Sequence, residues 1–244
     1  MPAPTASEIA PGSRLTIVRH GEAVSNAEDT LGGHQSCRGL TAHGRQQVSA
    51  LADRLARTGE LAGAAALYSS VLPRAIETAE ILAPALGGLA AEQRCSLCER
   101  HVGEADGMSW AEYEAVYGRE VPGRDDHRAL APGGESWAGF LDRAAAGLRE
   151  VMAAHAGGLV VVAGHGGLVA ASLIRFLELP ANGVGFRGYA DNSSLTEWEW
   201  TGRRWWLVRY NDVAHLDAAQ WGPGRRLRRP APGWVGAEHE AGPP

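Results

Sequence analysis

The sequence predicts an α/β protein, a three-layer α/β/α sandwich with a mostly parallel central sheet. Short apolar strands alternate with amphipathic helices over most of the 244 residues, which is typical of a parallel sheet covered on both faces. Two of the strands end in a histidine followed by a glycine, at His20-Gly21 and His165-Gly166. With 45% hydrophobic residues, the chain can bury one full core.

The order of the elements follows from apolar periodicity. Runs of apolar and β-branched residues predict strands, and apolar residues three and four apart predict helices. Thr41 and Ser136 are typical helix N-caps, and Pro73 opens a helix. The predicted elements are a strand at 14–19, a helix from 41 to about 57, a strand at 64–70, a helix from 73 to about 86, a strand within 87–104, helices at 110–117 and 135–154, a strand at 159–163, a helix at 168–177 and a hairpin at 194–208.

One domain is predicted over residues 14–221. Residues 1–13, with their three prolines, are interpreted as a flexible N-terminal lead-in, and residues 222–244 as a tail rich in Gly, Pro and Arg. Within the domain, residues 103–134 are interpreted as an insertion that covers the substrate. A solvated loop is the alternative for the polar, Gly- and Pro-rich part of this insertion, residues 118–134.

Composition excludes several classes of function. The net charge of -5 argues against general nucleic-acid binding, and no apolar stretch is long enough to span a bilayer. Residues 1–13 lack a signal-peptide pattern, so we expect a cytoplasmic protein, with homo-oligomerisation left open. All 23 basic residues are arginine, which excludes Schiff-base lysines and the Walker lysine. Any phosphate would be bound by arginine, histidine and backbone amides.

The cysteines predict no metal site. Cys95 and Cys98 have the Cys-x-x-Cys spacing of a redox pair or of half a zinc site, and Cys37 is the third cysteine. No second cysteine pair is present to complete a zinc site, and no thioredoxin-like strand precedes the Cys95/Cys98 pair. We therefore interpret them as ordinary, partly buried thiols.

The two histidines at strand ends are candidate catalytic residues. Ligands bind at the carboxyl edge of open α/β sheets, and His20 and His165 each precede a glycine there, with Arg19 beside the first. A structural role is the alternative for a single histidine of this kind. Arg74 lies in the first turn of a helix, where free amides favour anions, although a solvated arginine is the alternative.

These residue types are suited to phosphoryl transfer. A neutral imidazole can attack phosphorus, while Arg19, Arg74 and a protonated His165 would neutralise the oxygens. The leaving alcohol needs a proton from a carboxylic acid. Spacing does not choose among four candidates for that acid: Glu22, Glu99, Glu104 and Asp106.

A family resemblance supplies further expectations. The strand end Arg19-His20-Gly21-Glu22, followed by Asn26, resembles the signature of the histidine phosphatase superfamily, which has the phosphoglycerate mutase-like fold. Because Gly166, not Asp, follows His165, the resemblance is to branch 1. Further matching motifs follow in the same order: Leu40-Thr41, Gly44, Gln47, Ser69-Ser70, Arg74, Thr78-Ala79, Glu99-Arg100-His101, residues 132–136, residues 164–167 and residues 192–194.

The resemblance implies a role for each site residue. His20 would become phosphohistidine, Arg19, Arg74 and His165 would form the phosphate pocket, and Glu99 would be the acid and then the base. The expected substrate- and phosphate-binding residues are Asn26, Gly21, Gly166 and Arg100. No metal or organic cofactor is expected, and the partner would be a small-molecule phosphate ester.

Within the family, the sequence favours a phosphatase over a phosphoglycerate mutase. Val102 replaces the tyrosine of the mutase motif, and Trp110 stands near the place of a substrate-binding lysine. The mutases' adjacent arginine pair is missing, although Arg119, Arg124 or Arg128 are candidates to replace it. The alternatives are mutase-type transfer, a non-hydrolytic binding protein, a different reaction on an anionic intermediate, and a metalloprotein built from His20, His165 and the cysteines.

Overall fold

The computed structural model describes residues 8–120, 126–180, 189–217 and 220. The predicted tail at 222–244 and residues 1–7 of the predicted lead-in lie outside these residues. The described strands and helices are β1 (Ser13–Arg19), α1 (Val24–Ala27), α2 (Ala42–Thr58), β2 (Ala66–Ser69), α3 (Pro73–Leu82), β3 (Ala91–Gln93), α4 (Trp110–Tyr117), α5 (Trp137–Ala153), β4 (Leu159–Gly164), α6 (Gly166–Phe176), β5 (Leu195–Trp200) and β6 (Trp205–Asp212).

The strands form one sheet in the order β3-β2-β4-β1-β5-β6. The first four strands are parallel to one another, and the hairpin β5-β6 extends the sheet in antiparallel fashion. β1 and β4 are central neighbours, with Arg19 opposite Gly164 at their carboxyl ends. The predicted α/β class with a mostly parallel sheet is confirmed.

Helices cover both faces of the sheet. Because side chains alternate across a strand, the apolar residues of β1 and β4 divide between the two layers. On one face, Leu15, Ile17, Val160 and Val162 pack with the apolar sides of α5 and α6. On the other face, Val18, Val161 and Ala163 pack with α2 and α3. Each large side chain buried in this way contributes roughly 1.5–3 kcal/mol, so both central strands are held rigidly.

The predicted helix at 73–86 ends earlier than expected. α3 stops at Leu82, and a 3₁₀ turn runs from Ala83 to Leu86. Pro84 has no amide to donate, and its ring clashes with the carbonyl four residues before it, so the α-helix cannot continue. Gly87 then closes the segment with a φ of 78°.

The described end of the predicted lead-in is anchored rather than free. Ile9 is buried in the core cluster that contains Leu15, and Ser13 already belongs to β1. The Ser13 hydroxyl donates to the carbonyl of Ala10 at 2.7 Å. Residues 8–13 thus pack against the core through Ile9 and Ser13, and the flexibility of the lead-in stays a prediction.

A third, smaller apolar cluster lies within and beside the predicted insertion. Leu31 packs there with Val102, Ala105, Tyr113 and Leu130. This cluster connects the loop after β1 to residues 102–131, so the described part of the insertion has its own small core.

Among the described residues, no helix combines the length and apolar character that a membrane crossing requires.

Candidate active site

The carboxyl ends of β1 and β4 bring His20 and His165 together. Their ring centroids lie 5.3 Å apart in an edge-to-face arrangement. Both side chains are buried, at 4% and 0% exposure. The parallel pairing of β1 with β4 causes this proximity, because each histidine directly follows a register pair at the sheet edge.

His20 has one ring nitrogen occupied and one available. Its Nδ1 lies 2.6 Å from the carbonyl oxygen of Gly21, so Nδ1 carries the proton and donates it to that acceptor. Nε2 therefore keeps its lone pair. Burial, followed by the positive charges of Arg74 and Arg19, holds the pKa of His20 well below its usual value. The imidazole is consequently neutral at pH 7, the state that a nucleophile requires.

His165 is also neutral in this environment. Its Nε2 lies 2.7 Å from the hydroxyl of Ser70, whose oxygen accepts the Leu72 amide at 3.2 Å. Among the described residues the Ser70 proton has no acceptor besides this nitrogen, so the hydroxyl donates to Nε2. Nδ1 then carries the His165 proton. Burial, then Arg74 and His20, lower the pKa of His165. In the ligand-free site His165 is therefore a neutral N–H donor rather than the protonated imidazole that the sequence predicts for the charged phosphoryl complex.

Two buried donors at the site lack partners within the described part of the chain. They are His165 Nδ1 and Arg19 Nε. Arg19 otherwise donates through Nη1 to the carbonyl of Ala190 and lies 5.9 Å from the ring centre of Tyr189. Because buried polar atoms are nearly always hydrogen-bonded, two unused donors beside His20 indicate a place for an acceptor-rich ligand.

Arg74 is the second cation of the site. Its side chain lies in the first turn of α3 and the residue is only 4% exposed. Nη1 donates to the carbonyl of Gly32 at 2.9 Å and contacts Cys37 Sγ at 3.3 Å. These contacts orient the guanidinium. Arg74 is close enough to His20 for its charge to lower the pKa of that imidazole, and its burial shows that the solvated alternative is wrong.

The carboxylate of Glu99 lies against the start of α6, beside His165. Its Oε2 accepts the Gly167 amide at 3.0 Å, and its Oε1 accepts the Arg100 amide at 3.1 Å. A Cβ at Gly167 would lie 1.9 Å from Glu99 Oε1, so the carboxylate occupies the space that a larger residue would need.

The three other candidate acids lie elsewhere. Glu22 accepts the hydroxyl of Thr41 at 2.8 Å, and Glu104 is exposed. Burial raises the pKa of Asp106, but bonds from Ser36 and from amides of residues 33–36 outweigh burial and lower it overall. Asp106 therefore caps a loop as a carboxylate. The geometry leaves Glu99 as the candidate beside the histidines.

The predicted binding residues have different surroundings. Asn26 Oδ1 accepts from the Ala23 amide at 3.0 Å and from Asn192 Nδ2 at 3.4 Å. Asn192 also donates to the His20 carbonyl at 3.1 Å, which sequence reasoning did not anticipate. Arg100 forms two 2.8 Å bonds with Glu120, so its guanidinium is engaged within the protein. Substrate contacts by Asn26 and Arg100 stay predictions.

The two glycines that follow the histidines differ in whether the fold leaves room for a larger residue. A Cβ at Gly21 would lie 2.3 Å from the Gly44 carbonyl oxygen. Close packing of the β1 end against α2 therefore requires glycine at position 21, independently of any ligand. At Gly166 the nearest atom to a Cβ would be Arg19 Nε at 3.5 Å, an ordinary contact. Their predicted binding roles stay predictions.

Sequence reasoning missed one cluster near this site. His34 and His101 lie beside Cys95 and Cys98, with four ligand-type atoms within 4.8 Å of one another. No second cysteine pair is present to indicate this cluster, because the residues that complete it are histidines from two separate segments. His101 belongs to the same Glu99-Arg100-His101 motif that indicated the acid.

The fold and site together define a class of α/β enzyme in which buried histidines and arginines at a sheet edge handle a phosphoryl group. The sequence profile of the histidine phosphatase superfamily (branch 1) matches residues 15–213. The chain belongs to this superfamily. The predictions of its family and of a histidine phosphatase, a phosphoric monoester hydrolase, are confirmed.

Individual relatives agree with this assignment. The chain is 31% identical to "Phosphoglycerate mutase-like protein 4" of Arabidopsis thaliana over 84% of its length and 87% of the relative's. It is 30% identical to "Metal-independent phosphoserine phosphatase" of the same plant, with 84% of each chain covered. The structure of mycobacterial glucosyl-3-phosphoglycerate phosphatase complexed with VO3 is similar at a TM-score of 0.68 and 30% identity, covering 82% of this chain and 99% of that one.

Proposed function

We propose that the protein hydrolyses the phosphate monoester of a small metabolite through a phosphohistidine on His20. The observation that carries this proposal is the state of His20: a buried, neutral imidazole whose Nδ1 is bonded to the Gly21 carbonyl. Its Nε2 is the atom left to attack phosphorus. Two arginines and a second imidazole surround it.

The first step forms the bond from His20 Nε2 to phosphorus and breaks the ester bond. Negative charge develops on the phosphoryl oxygens, where Arg19, Arg74 and the Nδ1–H of His165 stabilise it. Glu99, in its protonated form, gives its proton to the leaving alcohol. Donors that are already oriented need little reorganisation during this step.

The second step returns the enzyme to its starting state. Glu99, now a carboxylate, takes a proton from water, and the water oxygen attacks the phosphohistidine. The bond from His20 to phosphorus breaks, and inorganic phosphate leaves. His20 regains its lone pair on Nε2, and Glu99 regains its proton.

Contacts in the insertion favour hydrolysis over mutase-type transfer. A mutase must hold a second phosphate and a carboxylate, and Arg119 and Arg128 were the described candidates for this. Arg119 lies 3.9 Å from Glu114, and Arg128 donates to the Tyr117 carbonyl at 3.0 Å. Arg124 lies outside the described residues. Each described arginine thus has a partner inside the insertion, and the mutases' adjacent arginine pair is missing from the sequence, which together support hydrolysis over transfer.

The substrate is tested best with a panel of phosphorylated metabolites. Phosphoserine and glucosyl-3-phosphoglycerate belong in it, because similar proteins carry these names, and a phosphoglycerate mutase assay runs in parallel. We expect phosphate release from at least one ester and its loss in His20→Ala. His155→Ala is the matched control, since His155 pairs with Tyr68 away from the site. Release that persists in His20→Ala would contradict the mechanism.

A further inference from the structure

Four side chains beside the active site form a cluster of metal-ligand type, which we call the His2Cys2 cluster: His34, Cys95, Cys98 and His101. Cys95 and Cys98 lie at either end of a 3₁₀ turn, His101 follows shortly after it, and His34 comes from the loop after β1. One ligand atom from each residue lies within 4.8 Å of all the others.

The spacing of these atoms matches a tetrahedral site. Nε2 of His34 lies 3.7 Å from both Cys95 Sγ and Cys98 Sγ, and Nε2 of His101 lies 3.7 Å from Cys95 Sγ. A tetrahedral zinc ion with Zn–S near 2.3 Å and Zn–N near 2.05 Å separates sulfur from nitrogen by about 3.6 Å. The three distances therefore need only small adjustments around a central ion.

The cysteine side of the cluster is held by Arg143. Its Nη1 donates to the carbonyls of Cys95 and Cys98, both at 3.2 Å, and Nη2 donates to the carbonyl of Glu99 at 3.2 Å. Arg143 is itself fixed by Glu135 at 2.6 and 2.7 Å. The backbone that carries both cysteines is therefore oriented by a half-buried ion pair.

The histidine side is also oriented by carboxylates. Glu135 Oε2 accepts the backbone amide of His101 at 2.9 Å. The same oxygen lies 3.8 Å from His101 Nδ1, beyond hydrogen-bond distance but on the side of the ring opposite the nitrogen that faces Cys95. A carboxylate behind the second nitrogen is typical of metal-binding histidines. On the other loop, Asp106 accepts the amides of Gly33 and Gln35 at 2.9 and 2.8 Å, which fixes the backbone on both sides of His34.

We propose that the His2Cys2 cluster binds one Zn²⁺ ion as a closed, structural site. Two thiolates and two imidazoles form a ligand set that zinc prefers, and four protein ligands leave no open position for a catalytic water. Binding displaces the two thiol protons to solvent. The ion touches neither His20 nor the phosphoryl group, so hydrolysis itself remains metal-free chemistry.

The site joins the two loops that support the candidate catalytic residues. Cys98 and His101 flank Glu99 in the chain, and the His34 loop contains Gly32, whose carbonyl orients Arg74. A bound ion thus fixes the acid relative to the phosphate-binding arginine. This positioning role rests on the proposed function, whereas zinc binding does not.

The direct test measures the metal content of the protein, expressed in zinc-supplemented medium and purified without an affinity tag. We expect about one Zn²⁺ per chain and, after exchange, the charge-transfer and visible bands of tetrahedral thiolate-bound Co²⁺. Cys95→Ser and His34→Ala should lose both signals, while Cys37→Ser keeps them as the matched control. Zinc-free protein after reduction and incubation with zinc, or equal signals in all three variants, would overturn the proposal.

Measurements of Tm test zinc binding, and measurements of kcat test whether the bound ion positions Glu99. Zinc at about a hundredfold excess over Kd should raise Tm of the metal-free wild type by about 5–10 °C and leave Tm of Cys95→Ser unchanged. Chelation should lower kcat on alkyl phosphates more than on aryl phosphates, because only the former depend strongly on the acid. Equal losses on both would overturn the positioning role while leaving the metal-content result intact.

Discussion

Gly167→Ala is expected to disable the acid without touching the nucleophile. The added Cβ would lie 1.9 Å from Glu99 Oε1 and 2.9 Å from Phe140 Cζ, so the carboxylate must leave its place beside His165. Overpacking costs about 1–3 kcal/mol, and alanine recovers about 1 kcal/mol of helix propensity. The net loss of about 0–2 kcal/mol leaves the protein folded at 25 °C.

The kinetic effect of this change should depend on the leaving group. General acid catalysis contributes about 10²–10⁴-fold, so kcat on an alkyl phosphate should fall by that factor. An aryl phosphate, whose leaving group needs little protonation, should lose much less. Glu99→Gln should reproduce this selectivity, and Glu104→Gln is the matched control because that carboxylate is exposed.

The double variant decides whether Gly167→Ala acts through Glu99. If it does, Gly167→Ala combined with Glu99→Gln should be no slower than Glu99→Gln alone, because the two changes remove the same interaction. Steady-state kcat with one alkyl and one aryl ester measures this. Additive losses, or equal losses on both esters, would refute Glu99 as the acid that α6 holds in place.

Three further predictions follow from the charges. Arg74→Lys should lower kcat/KM by about 10- to 100-fold, because an ammonium cannot replace the guanidinium's charged hydrogen bonds. An unchanged kcat/KM would contradict a phosphate-binding role for Arg74. Bonds from Arg54 hold the pKa of Asp212 below its usual range, so this pair stabilises the fold above about pH 4 and less as pH falls. In urea unfolding, Asp212→Asn should therefore lower the free energy of unfolding by about 1 kcal/mol at pH 7 and by less at pH 3. The free energy of unfolding of the exposed-site control Asp53→Asn should match the wild type, and an equal loss for Asp212→Asn at both pH values would contradict this prediction. Because the pKa of His20 is lowered, kcat/KM, corrected for ionisation of the ester, should fall on the acid side only below about pH 6.5. A fall that begins above that pH would contradict a neutral His20 in the free enzyme.

Much of this architecture could be predicted from local sequence pattern. The strands that carry His20 and His165 are apolar runs that stop abruptly at polar residues, and parallel pairing then brings their ends together. The apolar periodicity of residues 73–86 continues past Pro84 and predicts a longer helix than α3, which ends at Leu82 because proline cannot continue it. The burial of Ile9 depends on packing against Leu15, which no local pattern indicates.

The chemical details of the site depended on tertiary contacts. The family resemblance implies Glu99 as the acid, but spacing does not show that its carboxylate accepts the amide of Gly167, 68 positions away. The neutral state of His165 follows from complete burial beside Arg74, which spacing cannot show. Likewise, His34 reaches Cys95 across 61 positions of sequence, so the His2Cys2 cluster becomes visible only once both loops are folded.

The covalent intermediate tests the central claim most directly. Protein mixed with a phosphate ester that it hydrolyses should be quenched within the first turnover, digested under alkaline conditions that preserve phosphohistidine, and analysed by mass spectrometry. We predict one phosphoryl group on His20, absent from His20→Ala and accumulating in Glu99→Gln when an aryl ester is used. Turnover with no phosphoryl group on His20, or with the group on another residue, would contradict the account.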